Sequence, residues 1–417
     1  MGSVKRQESL DAMSVAAGSL PDPSVSIGLA NVPIDSFNFS QEGMTQFKVG
    51  VSQMFPRGKS LMYKREKLEK LGQMQPFARK DRSAQVAVTV SQLWLDVYRY
   101  QATIKLIERD RSLFEYLVDV AQSSYSTGAG KTRQQDLIRA QLELTRLDDR
   151  LATLHLQSDA HLARLGEWIS DPNIEVQKPL NMSSVIALQS RELILEPNRS
   201  VKLAELAETL GNHPKVKQVD QKISAFGANV ELAEQSYKPQ WGVNASYGYR
   251  DQTPMGDDRS DFFSVGVSFD VPLFAGNRQD KTVQAAVADR ESVKTERALI
   301  LRQLKSGFET AEAQYLRLIE RKSLFDTRLL KEMSEQAEAS LSAYTHDDGD
   351  FAEVVRARIA ELNARIEALN VNIEIQKNIA QLNCFQVGQG INNQAGTVNT
   401  SKATALDTSS VIGDEHE

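Results

Sequence analysis

Two spacings of apolar residues alternate along this chain. Short runs place an apolar side chain at every second position. In residues 24–30, Val25, Ile27 and Leu29 alternate with Ser24, Ser26 and Gly28. In 47–52, Phe47, Val49 and Val51 alternate with Lys48, Gly50 and Ser52. Residues 241–250 and 263–271 repeat the pattern, with Val243 and Tyr247 in one run and Val265, Val267 and Phe269 in the other. Period-two alternation puts the apolar side chains on one face of a strand. Aromatic residues gather near the run ends (Phe55, Trp241, Tyr249, Phe262, Phe274), where a membrane-interface girdle would sit. The strands alone fit a tilted membrane strand or a soluble, half-buried sheet equally well.

Between these runs lie long stretches of helical period. No proline occurs between Pro76 and Pro172 or after Pro272. Val355, Ile359, Leu362, Ile366, Leu369 and Ile373 are spaced 4, 3, 4, 3, 4, and Leu144, Leu147, Leu151 and Leu154 are spaced 3, 4, 3. These are heptad seams, so the helices should pack against neighbours as coiled coils. Residues 280–343 could form one helix of roughly 96 Å at 1.5 Å per residue. Gly-containing polar breaks at 125–132 and 344–350 fit the tips of two helical hairpins, marked by Tyr125, Gly128 and Gly130 in one and by Tyr344 and Gly349 in the other.

The pattern is written twice. "FKVGVSQMFP" (47–56) returns as "FSVGVSFDVP" (263–272), identical at six of ten positions and 216 residues later. "KLIERDRSLFE" (105–115) returns as "RLIERKSLFD" (317–326). The chain is therefore a duplicated domain, organised as follows. Residues 1–22 form a partial N-terminal helix, 23–56 a β-hairpin and 57–169 a long helical hairpin. Residues 170–212 form an irregular region with three prolines, and 213–238 a helix. Residues 239–272 form the second β-hairpin, 273–385 the second helical hairpin and 386–417 a mobile tail.

Four strands cannot close a membrane barrel, because the smallest have about eight. If these strands span a membrane, several chains must share one barrel: two would give eight strands and three would give twelve.

Composition narrows the field. The chain has 417 residues, 41% hydrophobic and 25% charged, with a formal net charge of −6, which argues against a nucleic-acid partner. No run approaches 18 apolar residues, so no membrane-spanning helix is expected. The single cysteine, Cys384, permits no intrachain disulfide. The first residues lack the apolar core of a signal peptide. The duplication implies that the first-half counterpart of the helix starting at His213–Pro214 begins about where the chain begins. The chain is thus expected to lack a signal peptide and its mature start.

Candidate chemistry is sparse. "GAGKT" (128–132) lacks the first glycine of a phosphate loop, that position being Tyr125, and follows a helix rather than a strand. His155, His161, His213 and His416 show no ligand spacing, and no catalytic arrangement stands out. The expectation is no enzyme, no cofactor and no metal. "HDDGD" (346–350) offers too few oxygens for a hard cation within one chain. Asp347, Asp348, Asp350 and Glu353 could instead form an acidic ring if copies surround an axis, or be ordinary solvated charges at a tip.

The segments "PDPSVSIGLANVP…FKVGVSQMFPRG", "NHPKVKQVDQKISAFGANVELAEQSYKPQWGVNASYGYR", "YSTGAGKTRQQDLIRAQLEL" and "YTHDDGDFAEVVRARIAEL" resemble the TolC-like outer-membrane efflux ducts. Together they cover most of residues 11–385. The resemblance implies a mainly α fold with a small β part. In a homotrimer, long hairpins would form an α-barrel and four strands per chain a shared 12-stranded β-barrel. It also implies a place in the Gram-negative outer membrane, reaching into the periplasm. The implied role is passive export from an inner-membrane pump through a periplasmic adaptor (membrane fusion) protein, with outer-membrane lipid around the barrel. The acidic tip would then stand near the periplasmic entrance. The competing reading is a soluble or peripheral coiled-coil adaptor without a barrel, which would have no need of four alternating strands. Cargo and pump class are not legible.

Overall fold

The computed structural model describes residues 2–127, 133–168, 203–346 and 349–388. Two compact units are built from interleaved segments. One comprises Met1–Arg79 with Pro214–Leu301, and the other Lys80–His213 with Arg302–Glu417. The boundaries cut through helices, so the units do not coincide with the duplicated halves.

The first unit holds the sheet. Helix α1 (Gly2–Gly18) leads into strand β1 (Ser24–Ala30), which is followed by β2 (Gln46–Phe55). The second half contributes β3 (Trp241–Tyr249) and β4 (Phe262–Phe269). The strands are antiparallel in the order β1-β2-β3-β4. The two hairpins therefore join edge to edge through β2 and β3, with Val49 opposite Tyr247 and Phe55 opposite Trp241. All four strand-to-helix junctions lie at one end of the sheet, called its foot here, and loops 31–45 and 250–261 lie at the other.

Helix α2 (Ser60–Thr127) follows β2, and helix α5 (Pro214–Glu234) precedes β3, ending in a 3₁₀ turn at Gln235–Tyr237. Gly58, at φ +45°, supports the turn into α2; a Cβ there would collide with the Lys238 side chain. Within this unit Lys67 Nζ donates to Asn229 Oδ1 at 2.9 Å. Lys222 pairs with Glu296 at 2.7 Å, and Arg297 with Asp220 at 2.5 Å.

The second unit is helical. Helices α3 (Gln134–Gly166), α4 (Leu203–Gly211), α6 (Gln279–Leu324), α7 (Leu330–Thr345) and α8 (Phe351–Phe385) complete the chain. Its core draws Ile107, Phe114 and Leu117 from α2, Leu147 and Leu151 from α3, and Phe351, Val355, Leu362 and Ile366 from α8 into one cluster. Both predicted seams thus face the core. Beside His213, whose ring lies 3.2 Å from the Cys384 carbonyl, burial pushes the Cys384 thiol pKa up.

Two expectations differ in detail. The helix expected over 280–343 is interrupted by a π-helical turn at Phe325–Leu329. Up to it, core-facing positions are Leu304, Phe308, Ala311, Tyr315, Leu318, Lys322 and Phe325, in steps of 4 and 3. Beyond it they are Leu330, Met333, Ala337, Ser340 and Tyr344. The step from Phe325 to Leu330 is five, one more than the heptad allows, and the π turn absorbs the extra residue. Residues Leu203–Gly211 of the region read as irregular are helical, with Leu206 and Leu210 buried, one turn apart on one face. Residues 169–202 and the expected tail from 389 lie outside the described residues.

Candidate membrane face and hairpin-tip entrance

The strand register assembles the apolar residues into one face. Val25 stands opposite Val51, Ile27 opposite Val49 and Leu29 opposite Phe47. The rows continue as Val51–Ala245–Val265 and Val49–Tyr247–Phe263. Val243–Val267 and Phe55–Trp241–Phe269 complete the face. Directly opposed residues in an antiparallel pair share a face, so all ten predicted positions fall together. Nine are exposed in the single chain, and Val49 is half-buried between Ile27 and Tyr247. At the foot the Trp241 and Phe269 rings pack at a tilt of 37°, centroids 5.0 Å apart.

The opposite face is small and mostly polar. Ser26, Gly50, Ser246 and Ser264 form one row, and Ser52, Asn244 and Gly266 lie in the next. Phe262, read from sequence as part of the aromatic girdle, lies on this face. It is the neighbour, not the alternate, of Phe263, and its ring sits 3.9 Å beneath the Arg250 guanidinium. Arg250 Nη1 also donates to the Gly43 carbonyl at 3.0 Å, and Arg259 Nη1 to the Glu42 carbonyl at 2.9 Å, so the second loop is tied to the first.

At the hairpin tips, Gly128, Gly130, Asp347 and Asp348 lie outside the described residues. Tyr125 is exposed at the end of α2. Tyr344 packs edge-on against Phe351, centroids 5.4 Å apart. A Cβ on Gly349 would stand 2.7 Å from the Tyr344 backbone nitrogen, which accounts for glycine there. Asp350 is the N-cap of α8; its side chain accepts from the Ala352 N–H at 3.1 Å. Glu353 is exposed one turn further on. At the start of α3, the Arg133 backbone N–H donates to the Asp136 carboxylate at 2.9 Å, closing that helix's first turn.

The flanks of both tips border one cavity of about 530 Å³, lined by Arg133, Asp136, Arg139, Tyr344, Asp350 and Arg356, among others. The start of α3 and the α7–α8 junction are therefore neighbours, and cations as well as carboxylates line the space between them. Sequence reading missed these arginines because isolated arginines on a helix carry no spacing signal. It also missed an ion network on α8. Arg358 joins Glu361 at 2.9 Å and Glu338 of α7 at 2.7 Å, while Arg365 joins Glu361 and reaches Asp110 of α2 at 3.2 Å. Among the described residues no group of three or more potential ligands could hold a metal ion.

Among curated proteins, no sequence matches this one. Solved structures share its fold. The Campylobacter jejuni CmeC outer membrane channel aligns with a TM-score of 0.73 at 12% identity, covering 97% of this chain and 85% of that one. The outer membrane protein VceC from Vibrio cholerae aligns at 0.73 and 12%, covering 93% and 91%. The open state of the Neisseria gonorrhoeae MtrE outer membrane channel aligns at 0.68 and 13%, covering 93% and 85%. Residues 206–384 match the family described as outer membrane efflux protein. The family match lies in the second half of the chain, and the shared fold runs over nearly its whole length.

Proposed function

We propose that this chain is an outer-membrane efflux protein, the passive exit duct of a tripartite export system, working as a homotrimer with an inner-membrane pump and a periplasmic adaptor. The observation that carries the reading is the sheet. Its apolar face, continuous from Val25 to Phe269, is exposed in the single chain. Among the described residues, the outer sides of its two edge strands, β1 and β4, are unpaired. Unpaired strand edges and exposed apolar area are both costly in isolation. Because β1 and β4 run in opposite directions, β4 of one copy can continue onto β1 of the next in antiparallel fashion. Such a head-to-tail contact closes a ring, and three copies would close twelve strands with the apolar face toward lipid.

The carboxylates at the α7–α8 tip extend the proposal. Glu353 is free at the surface, and Asp350 keeps one oxygen on its helix cap. With Asp347 and Asp348 they would ring the entrance and favour cations, against the arginines across the cavity. The detergent-extracted protein should weigh three times 46.4 kDa, and a stable monomer would end the shared-barrel reading. The joint Asn/Gln variant of the four carboxylates should change cation selectivity in single-channel recordings. Asn retains the cap at position 350, so an unchanged selectivity would count against the ring rather than against folding.

A further inference from the structure

The contact between β4 of one copy and β1 of the next has a twin inside the chain. At the 216-residue displacement of the duplication, β4 repeats β2, and Pro239 with β3 repeats Pro23 with β1. The β2–β3 joint is therefore an internal copy of the joint that a neighbouring chain would complete.

The twin strands differ at one end. β2 is paired on both sides and runs Gln46–Phe55, and its Gln53, Met54 and Phe55 are held by β3 alone. The twin span is 262–271, yet β4 stops at Phe269, and Val271 is 58% exposed. The Asp270 N–H donates to the Gln240 carbonyl at 3.4 Å, so the even-numbered residues of β4 turn their backbone groups toward β3. In an antiparallel ladder the alternate residues turn theirs the other way. Those of Val267 and Phe269, and of Val271 if the strand continues, thus aim at the open edge.

We propose that β1 of the next copy pairs with β4 in the register that joins β2 to β3, and that this pairing extends β4 through Val271. Val51 opposite Ala245 becomes Val267 opposite Leu29 of the next copy. Gln53 opposite Val243 becomes Phe269 opposite Ile27, and Phe55 opposite Trp241 becomes Val271 opposite Val25. Each apolar residue of this joint meets an apolar one, while on the other face Ser268 meets Gly28 and Asp270 meets Ser26. The inference rests on the barrel reading above and adds its register.

Closure limits the alternatives. The two hairpins themselves differ by one two-residue step: Val25 faces Val51, but its twin Trp241 faces Phe269, the twin of Gln53. The rival registers are therefore one such step either way. Val25 faces Val51, Val51 faces Ala245 and Ala245 faces Val265. In the proposed register Val265 would face position 31 of the next copy, so the ladder climbs six residues per chain and 18 around three. At about 3.3 Å per residue and about 4.8 Å between strands, that stagger tilts twelve strands by about 46°. Membrane barrels tilt by about 35–45°. One step more gives about 54°, which is too steep. One step less gives about 35°, but it spends β1 on residues 264–270 and leaves Val271 without a strand partner.

The test uses the full chain with Cys384→Ser, reconstituted in phospholipid vesicles and carrying Ser268→Cys with Gly28→Cys, Ser26→Cys or Ala30→Cys. A Cβ on Gly28 meets nothing within 4 Å, so a side chain fits there. Positions 28 and 268 lie on opposite edges of the sheet, so a disulfide between them joins two copies. Directly opposed Cβ atoms are close enough for a disulfide, and diagonal ones about 7–8 Å apart are not. On mild oxidation the 268–28 pair should form covalent dimers and trimers at least tenfold faster than either rival. A faster 268–26 or 268–30 pair overturns the register and leaves the shared barrel standing. No cross-link from any pair overturns the shared barrel itself. A second arm follows amide hydrogen exchange in the unmodified, assembled protein. The Val271 amide should exchange at least tenfold more slowly than those of loop 250–261, and equal rates overturn the extension of β4.

Discussion

Arg358 and Glu361 stand one turn apart on α8, joined at 2.9 Å, with side chains only 8% and 5% exposed. Burial opposes the Arg358 charge, and the Glu338 and Glu361 carboxylates outweigh it, holding the guanidinium pKa above its ordinary value. Removing one partner of such a pair leaves the other charged and uncompensated, at a cost of about 3–5 kcal/mol. Glu361→Ala should therefore lower the unfolding midpoint sharply. The double change Arg358→Met, Glu361→Leu should cost far less, because it removes both charges and fills the space. If the double variant is as unstable as the single one, the network contributes more than mutual compensation.

The strand register assigns adjacent residues of β4 to opposite faces. Val265→Arg would place a charge in the middle of the apolar face, at a cost of about 2–4 kcal/mol in a bilayer. Ser264→Arg would point into the small, polar face. Recovery of folded protein from the membrane fraction should fall for the first and hold for the second. Equal losses would reverse the assignment of faces.

The π turn at Phe325–Leu329 makes a sharper prediction. Deleting Thr327 removes the extra residue, so the seam from Leu304 should run through Tyr344 without a five-residue step. The variant should fold and unfold at a higher temperature than the parent. Deleting Gln336 instead, inside a regular stretch, should push Ala337, Ser340 and Tyr344 off the core and destabilise. Thermal unfolding followed by circular dichroism separates the two.

On α6, burial and then the nearby Glu309 carboxylate raise the Glu312 pKa. The folded state therefore holds this proton to a higher pH than the unfolded chain does. Stability falls as pH rises from the ordinary carboxylate range through the raised folded value, and the cost is complete above it. Glu312→Gln should be more stable than the parent at neutral pH, with the difference disappearing in acid. A constant difference across the pH series would exclude ionisation as its cause.

Much of this was legible in the sequence for a specific reason. Alternation assigns each strand residue to a face wherever its partner lies, so Val25 through Phe269 could be sorted without knowing the sheet order. That β2 lies against β3 was not legible, because the duplication implies two hairpins but not which edges meet. On α8 the seam through Val355, Leu362 and Ile373 was readable. Its second buried stripe, through Val354, Ala357, Glu361, Ala364 and Ala368, was not. That stripe is made of small and charged residues, which resemble a solvated surface. The skip at Phe325–Leu330 was hidden by two adjacent leucines, Leu329 and Leu330, either of which could carry the seam.

The β2–β3 pairing has a kinetic consequence. Val49 meets Tyr247 across 198 positions of chain, whereas Val25 meets Val51 within one hairpin. Helical turns and local hairpins form in microseconds, but distant strand pairing waits for a large loop to close. A lone two-stranded hairpin is marginal in water. The apolar face is therefore expected to assemble late, after α2 and α5 dock through contacts such as Lys67 with Asn229 and bring the two hairpins side by side. Splitting the sheet between distant parts of the chain acts as a timer: the helices commit first, and the greasy wall comes into being only where its two halves have already been delivered.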